Sequence, residues 1–242
     1  MKRFYKETSV DAAPDGGGYR VLLDGRPMRT PAKAVLLLPN AELAEAIAAE
    51  WRAVPGAAEI NVAHLPLTRL AATGLDRVGN QRDRVIEDTA KYAASDMLCY
   101  RAAEPATLVE RQSRLWQPLL DWAAGHYGAR LAVVEGLSFA EQPADALRAL
   151  RGAVAAHGDF GLSALYNLTH IAGSLVLALA VSEGRLSAGD AFSAAQLDEL
   201  YQVERWGADP IATRRHEGIR ADIDAGARFL ALLGPRRLTR TG

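Results

Sequence analysis

Tyr19-Arg20-Val21-Leu22-Leu23-Asp24-Gly25-Arg26-Pro27-Met28-Arg29-Thr30 decides how the chain begins. An alternating apolar run, an Asp-Gly pair and a second short run spell a β-hairpin, because Asp-Gly accepts the left-handed backbone of a two-residue turn. Gly16-Gly17-Gly18 feeds the hairpin, and Val35-Leu36-Leu37-Leu38 adds an apolar run that stops at Pro39. A hairpin alone is marginal in water, so Phe4 to Val10 is expected as a further strand of a small antiparallel sheet.

Working outward, Asn40 is a good cap for a helix over Ala41 to about Ala53, where Leu43, Ile47 and Trp51 fall on one face. That face should lie on the sheet, with Trp51 as a buried anchor. Val54-Pro55-Gly56 stops the helix, and Glu59 to Val62 is expected to return as a strand before Pro66.

From Leu67 onward helical periodicity takes over. Leu108, Gln112, Leu115, Leu119 and Trp122 form a stripe within Glu104 to Tyr127, where Pro118 is expected to kink or split the helix near Trp116. Further helices are expected over Pro143–His157, Leu162–Val181, Ala188 to about Trp206 and Pro210–Leu233, with glycines 158, 184, 207 and 234 at their ends and a capping box at Ser187 and Asp190. The helix over Leu162–Val181 is apolar on nearly every side, which marks the centre of a bundle. Trp206 is expected as a second structural anchor, and residues 235–242 as a frayed basic tail. The fold class is α+β: a β-rich amino-terminal domain with one packed helix over residues 1–66, then a larger all-helical domain over 67–242.

Composition removes several functions. The 242 residues carry 28 basic and 29 acidic side chains, a formal net charge of -1, and no block of like charges, so no field for nucleic acid is expected. The longest apolar stretch, Ile171 to Val181, is far short of the roughly 20 residues a bilayer requires, so no membrane insertion is expected. The lone Cys99 fits a reducing compartment, and the polar first ten residues lack the apolar core of a presequence. A cytoplasmic protein is the expectation.

The usual chemical signatures are missing. No Gly-x-x-x-x-Gly-Lys-Ser/Thr loop and no Gly-x-Gly-x-x-Gly fingerprint occurs, and lysine is found only at 2, 6, 33 and 91. The histidines at 64, 126, 157, 170 and 216 never fall four apart, so no metal site is expected. His157 reads as a helix-end residue, His170 as a hydrogen-bonded core histidine. Gly161-Leu162-Ser163-Ala164-Leu165 is not a nucleophile elbow. What remains is Asp198, Glu199 and Glu204 in Leu197-Asp198-Glu199-Leu200-Tyr201-Gln202-Val203-Glu204-Arg205-Trp206-Gly207. They read as a solvated helix face, as a protein-binding edge, or as a general acid/base pair of a small-molecule enzyme at the domain junction.

The order of segments goes further. Arg3-Phe4-Tyr5-Lys6, the run from Tyr19 to Lys33, Ala48-Ala49-Glu50-Trp51, Pro66-Leu67-Thr68-Arg69-Leu70-Ala71, Asp96-Met97-Leu98-Cys99-Tyr100-Arg101, the Trp116 to Trp122 segment and the Leu197 to Gly207 motif together resemble the F1-ATPase assembly chaperones that bind the alpha subunit, the family of mitochondrial F1 complex assembly factor 2 and its bacterial relatives. The long second motif and the last one are the specific pieces. The resemblance implies a bacterial chaperone without catalysis, cofactor or small-molecule substrate. It would hold a free ATP synthase alpha subunit until beta replaces it. It points to Asp198, Glu199 and Glu204 as partner contacts, with Arg26 and Arg29 as further candidates.

Overall fold

The computed structural model describes residues 2–56, 58–136, 138–139 and 141–234, so the expected basic tail lies outside the described residues. The chain divides into two compact units, the first built from residues 1–82, 158–164 and 228–242, the second from 83–157 and 165–227.

The first unit is a sheet with a helix on it. Strand β2 (Tyr19–Leu23) is antiparallel to β1 (Thr8–Ala12), and it also pairs with the two-residue strands β3 (Arg26–Pro27) and β4 (Leu37–Leu38). Asp24 and Gly25 both take positive φ, 47° and 76°, as the Asp-Gly turn requires. The first strand begins at Thr8 and not at Phe4, because the amides of Lys6 and Glu7 donate to the Asp24 carboxylate at 2.9 and 2.8 Å and leave the ladder. On one face Val21 and Leu23 are buried; on the other Arg20 forks onto Asp11, its cross-strand neighbour.

Helix α1 (Ala41–Ala53) matches its expected limits. Asn40 Oδ1 accepts from the Leu43 amide at 2.8 Å, and Leu43, Ala44, Ile47, Ala48 and Trp51 enter the core with Val21 and Leu23. Helix α2 (Pro66–Thr73) has no side-chain cap of its own. Glu50 of α1 supplies it: its carboxylate accepts from the amides of Leu67 (2.7 Å) and Thr68 (2.9 Å) and from the Thr68 hydroxyl (2.8 Å). Burial pushes the Glu50 carboxyl up, and these bonds pull it back. Of the strand expected over Glu59–Val62 only a bridge from Glu59 to Lys2 forms, since Asn61 caps a 3₁₀ turn over Val62–His64 and bends the backbone out of line.

The first unit also runs past residue 66, where the sequence changes character. Phe160 and Phe229 pack together with ring centroids 6.5 Å apart, Phe229 joins the sheet core, and the Ser163 hydroxyl donates to the Leu70 carbonyl at 2.8 Å. These are returns of distant chain. Local periodicity carries no record of them.

The second unit is helical. Helix α4 (Ala106–Tyr127) is not split: Pro118 forfeits one backbone bond, and burial of Trp116, Leu119 and Leu120 offsets it. Its buried face is Gln112, Trp116, Leu119, Leu120 and Ala123, with Leu115 turned out. The apolar stretch expected as one helix is two, α6 (Asp159–Ala172) and α7 (Leu175–Ser182), because Gly173 takes φ 66° and Ser174 caps α7 through the Leu177 amide at 3.0 Å. Helix α7 is buried from Leu175 to Val181 and packs on α4 and α8 (Ala188–Ala195), which supports its reading as the bundle centre. The next expected helix likewise breaks at Gln196 into α8 and α9 (Leu197–Trp206), while α10 (Pro210–Leu233) keeps its expected limits. The Ser187–Asp190 capping box forms, with the Asp190 amide donating to Ser187 Oγ at 3.1 Å. No helix among the described residues is long and apolar enough to cross a membrane.

Candidate functional site

Helix α9 fixes the acidic motif. Leu197 and Tyr201, one turn apart, are buried and seat the helix on α4. The Tyr201 hydroxyl lies 2.6 Å from Thr107 Oγ1, and the guanidinium groups of Arg111 and Arg205 stand 5.2 and 5.1 Å from its ring centre.

Around that anchor the carboxylates divide. Asp198 Oδ1 accepts from Gln112 Nε2 at 2.8 Å, and Gln112 Oε1 in turn accepts from the Ala102 amide at 2.8 Å. Glu204 pairs with Arg111 at 2.6 Å. Both acids therefore staple α9 to α4. Glu199 is half-buried and has no hydrogen bond or ion pair among the described residues. A general acid/base pair needs two carboxyl groups converging on one substrate atom. Here two of the three hold separate partners on the neighbouring helix, which is packing chemistry.

Beyond the last turn the surface becomes apolar. Trp206 is 79% exposed, so it is not the structural anchor the sequence suggested. Its helix ends at Gly207 (φ 87°), past the Tyr201 seat, and the indole projects beyond the packed face. Ile211, on the first turn of α10, is also 79% exposed. Trp51, by contrast, is the buried anchor expected: its Nε1 donates to Thr68 Oγ1 at 3.0 Å, and its carbonyl accepts from the Tyr5 hydroxyl at 2.6 Å. Arg26 and Arg29 belong to the hairpin of the first unit and are both exposed; Arg29 donates to the Lys33 carbonyl at 2.7 Å.

Sequence reasoning missed Thr107 and Arg111, whose roles arise from packing. Gln112 did carry a signal, as a polar residue in an apolar stripe. Burial pushes the Cys99 thiol up to about 12, with the nearby Asp96 adding to the effect, which removes it as a nucleophile near neutral pH. His157 is buried at the end of α5 (Ala144–Ala155), its Nδ1 3.0 Å from the Ala153 carbonyl, as a helix-end residue should be. His170 is bonded, to the Tyr92 hydroxyl at 2.7 Å, but it is exposed and not a core residue, because it lies on the outer side of α6. Among the described residues no group of three or more His, Cys, Asp or Glu could hold a metal ion.

Residues 2–124 match the family model of the ATP12 chaperone protein. The curated mitochondrial protein atp12 of Schizosaccharomyces pombe is 22% identical over 219 residues, 86% of this chain and 74% of that protein. Among solved structures, Atp12 of Paracoccus denitrificans is 40% identical with a TM-score of 0.88, covering 96% of this chain and 97% of that one. The Atu1473 protein of Agrobacterium tumefaciens is 38% identical with a TM-score of 0.90, covering 96% of this chain and 86% of that one.

Proposed function

The chain belongs to the ATP12 family of chaperones for F1-ATPase assembly, and from that premise we propose that it holds the free alpha subunit of the F1 sector until the beta subunit takes its place. An unassembled alpha subunit exposes apolar surface meant for its neighbour, and such surface aggregates unless covered. A holder that must later yield needs a mixed patch of modest affinity.

The observation that carries this reading is the outer surface of α9 and the start of α10: Trp206 and Ile211 are exposed past the last turn, Glu204 and Arg205 directly precede Trp206, and Glu199 on the first turn has no hydrogen bond or ion pair among the described residues. An aromatic anchor next to charge is the usual composition of a binding hot spot. Glu199 suits an arginine-bearing subunit edge; Asp198 and Glu204 set the helix that presents it. Arg26 and Arg29 form a second contact. In this reading the protein works in the bacterial cytoplasm, without catalysis or cofactor.

The test is capture of purified alpha subunit by size-exclusion chromatography, with light scattering to follow its aggregation. Wild-type protein should form a complex and suppress scattering. Glu199→Lys should weaken capture by about tenfold or more, a loss of about 1.4 kcal/mol, with circular dichroism and melting temperature unchanged. No complex and no suppression with folded partners would overturn the proposal.

A further inference from the structure

The hairpin side of the first unit carries a trough that the α9 contact does not use. Two cavities of about 640 and 630 Å³ adjoin, with Met28, Arg29 and Trp51 in the lining of both, and together they make the trough. Its floor is apolar, since Met28, Leu36 and Trp51 are all buried. Each half has an exposed apolar side chain, Phe4 (61% exposed) in one and Val62 (52% exposed) in the other.

Basic side chains outnumber acidic ones in the lining. Arg26, Arg29, Arg69 and Arg77 line it, against Asp24 and Asp76. Both aspartates are engaged within the unit: Asp24 by the Lys6 and Glu7 amides, Asp76 by the Thr30 hydroxyl (2.6 Å) and the Ala32 amide (3.0 Å). The Thr68 hydroxyl is likewise spent on Glu50 and Trp51. The hairpin edge is closed to strand addition, because Pro27 has no N–H to donate. An occupant must therefore be held by side chains.

We propose that this trough binds an extended acidic segment of the client carrying a bulky apolar side chain, which lies over Met28 and Trp51 while flanking carboxylates meet Arg26 and Arg29. Guanidinium forks match carboxylates in geometry and charge, and the apolar floor supplies the anchor. Only the identity of the client rests on the reading of the chain as an F1 assembly chaperone.

The full-length protein is titrated, by fluorescence anisotropy, into a fluorescein-labelled peptide with acidic residues on both sides of a central Leu-Phe pair, and into the same peptide with every acid replaced by lysine. The acidic peptide should bind at least about tenfold tighter, and its affinity should fall as salt is added. The double variant Arg26→Glu/Arg29→Glu should reverse the preference toward the lysine peptide, a gain that unfolding cannot produce. Equal binding of the two peptides, binding of neither, or an unchanged preference in the variant would each overturn the inference. Free alpha subunit is offered in parallel. Capture of alpha without any peptide preference sinks the trough alone; peptide preference without capture of alpha sinks the client assignment alone.

Discussion

Asp96 shows how one buried acid can tie a bundle together and leave a mark on its pH dependence. Its Oδ1 accepts from the Leu98 amide at 3.1 Å and its Oδ2 from the Val176 amide at 3.0 Å, so the carboxylate joins the 3₁₀ turn over Met97–Cys99 to the first turn of α7. Burial pushes its pKa from 3.8 up to about 6, against the pull of those bonds. The folded state therefore keeps the proton at higher pH than the unfolded chain does. The contribution of Asp96 to stability is fully present below about pH 4, and on the order of 3 kcal/mol of it is lost as pH rises to 6 and beyond. Asp96→Asn cannot titrate, and its amide group turns a donor toward one of the two N–H groups, which should cost about 1–3 kcal/mol at pH 7. Urea unfolding of both proteins should give a gap that is wider at pH 4 than at pH 7; a gap that narrows on acidification would contradict the assignment. Comparing the two proteins also cancels the half-buried Asp11 and the exposed Asp24, which are held below the usual range by Arg20 and by backbone amides and so act in the opposite direction. None of this was legible in the sequence, where Asp96 is one acid among 29. Trp51 and Trp206 make the same point differently: each ends a helical stripe, and only the surface that the helix meets decides which indole is covered.

At the scale of the element, the signals that the sequence carried well were caps and turns, because their chemistry is local. Asn40 before α1, the Asp24-Gly25 turn and the Ser187–Asp190 box all act within a few residues of themselves. The breaks at Gly173 and Gln196 were harder to see, since unbroken apolar or helix-forming runs span them and only the backbone conformation interrupts the helix. Interior glycines belong to this scale too. Gly226 and Gly218 both lie within α10, where alanine is intrinsically favoured by about 1 kcal/mol. A Cβ at 218 meets nothing within 4 Å, whereas one at 226 would lie 2.8 Å from both Cγ and Cδ2 of Leu168 on α6. Gly218→Ala should therefore stabilise the protein by about 0.5–1 kcal/mol, and Gly226→Ala should destabilise it by about 1–3 kcal/mol through overpacking. Thermal melts of the pair should shift in opposite directions. If both melt higher, close helix approach is not what keeps Gly226.

For the whole molecule, the α+β class was readable because a hairpin signal and a long helical remainder use different periods, and each period survives in the sequence. The acidic motif was readable as residues but not as a surface. That Asp198 and Glu204 are held by α4, while Glu199 has no such partner, depends on where Gln112 and Arg111 arrive in space. If the protein holds alpha as proposed, mass action alone can release it. If the chaperone and the beta subunit cover overlapping surface on alpha, each excludes the other, and adding beta shifts alpha from one partner to the other in proportion to its concentration over its own affinity. Labelled chaperone bound to alpha should be released by beta subunit. Its apparent dissociation constant should rise linearly with free beta, and no species containing all three proteins should appear in native mass spectrometry. Glu199→Lys should lower the amount of beta needed for half-release by the same factor as it weakens capture, because competition reads the ratio of two affinities and only one has changed. A stable ternary complex would show that the two partners hold different faces of alpha, and release would then need a device other than displacement.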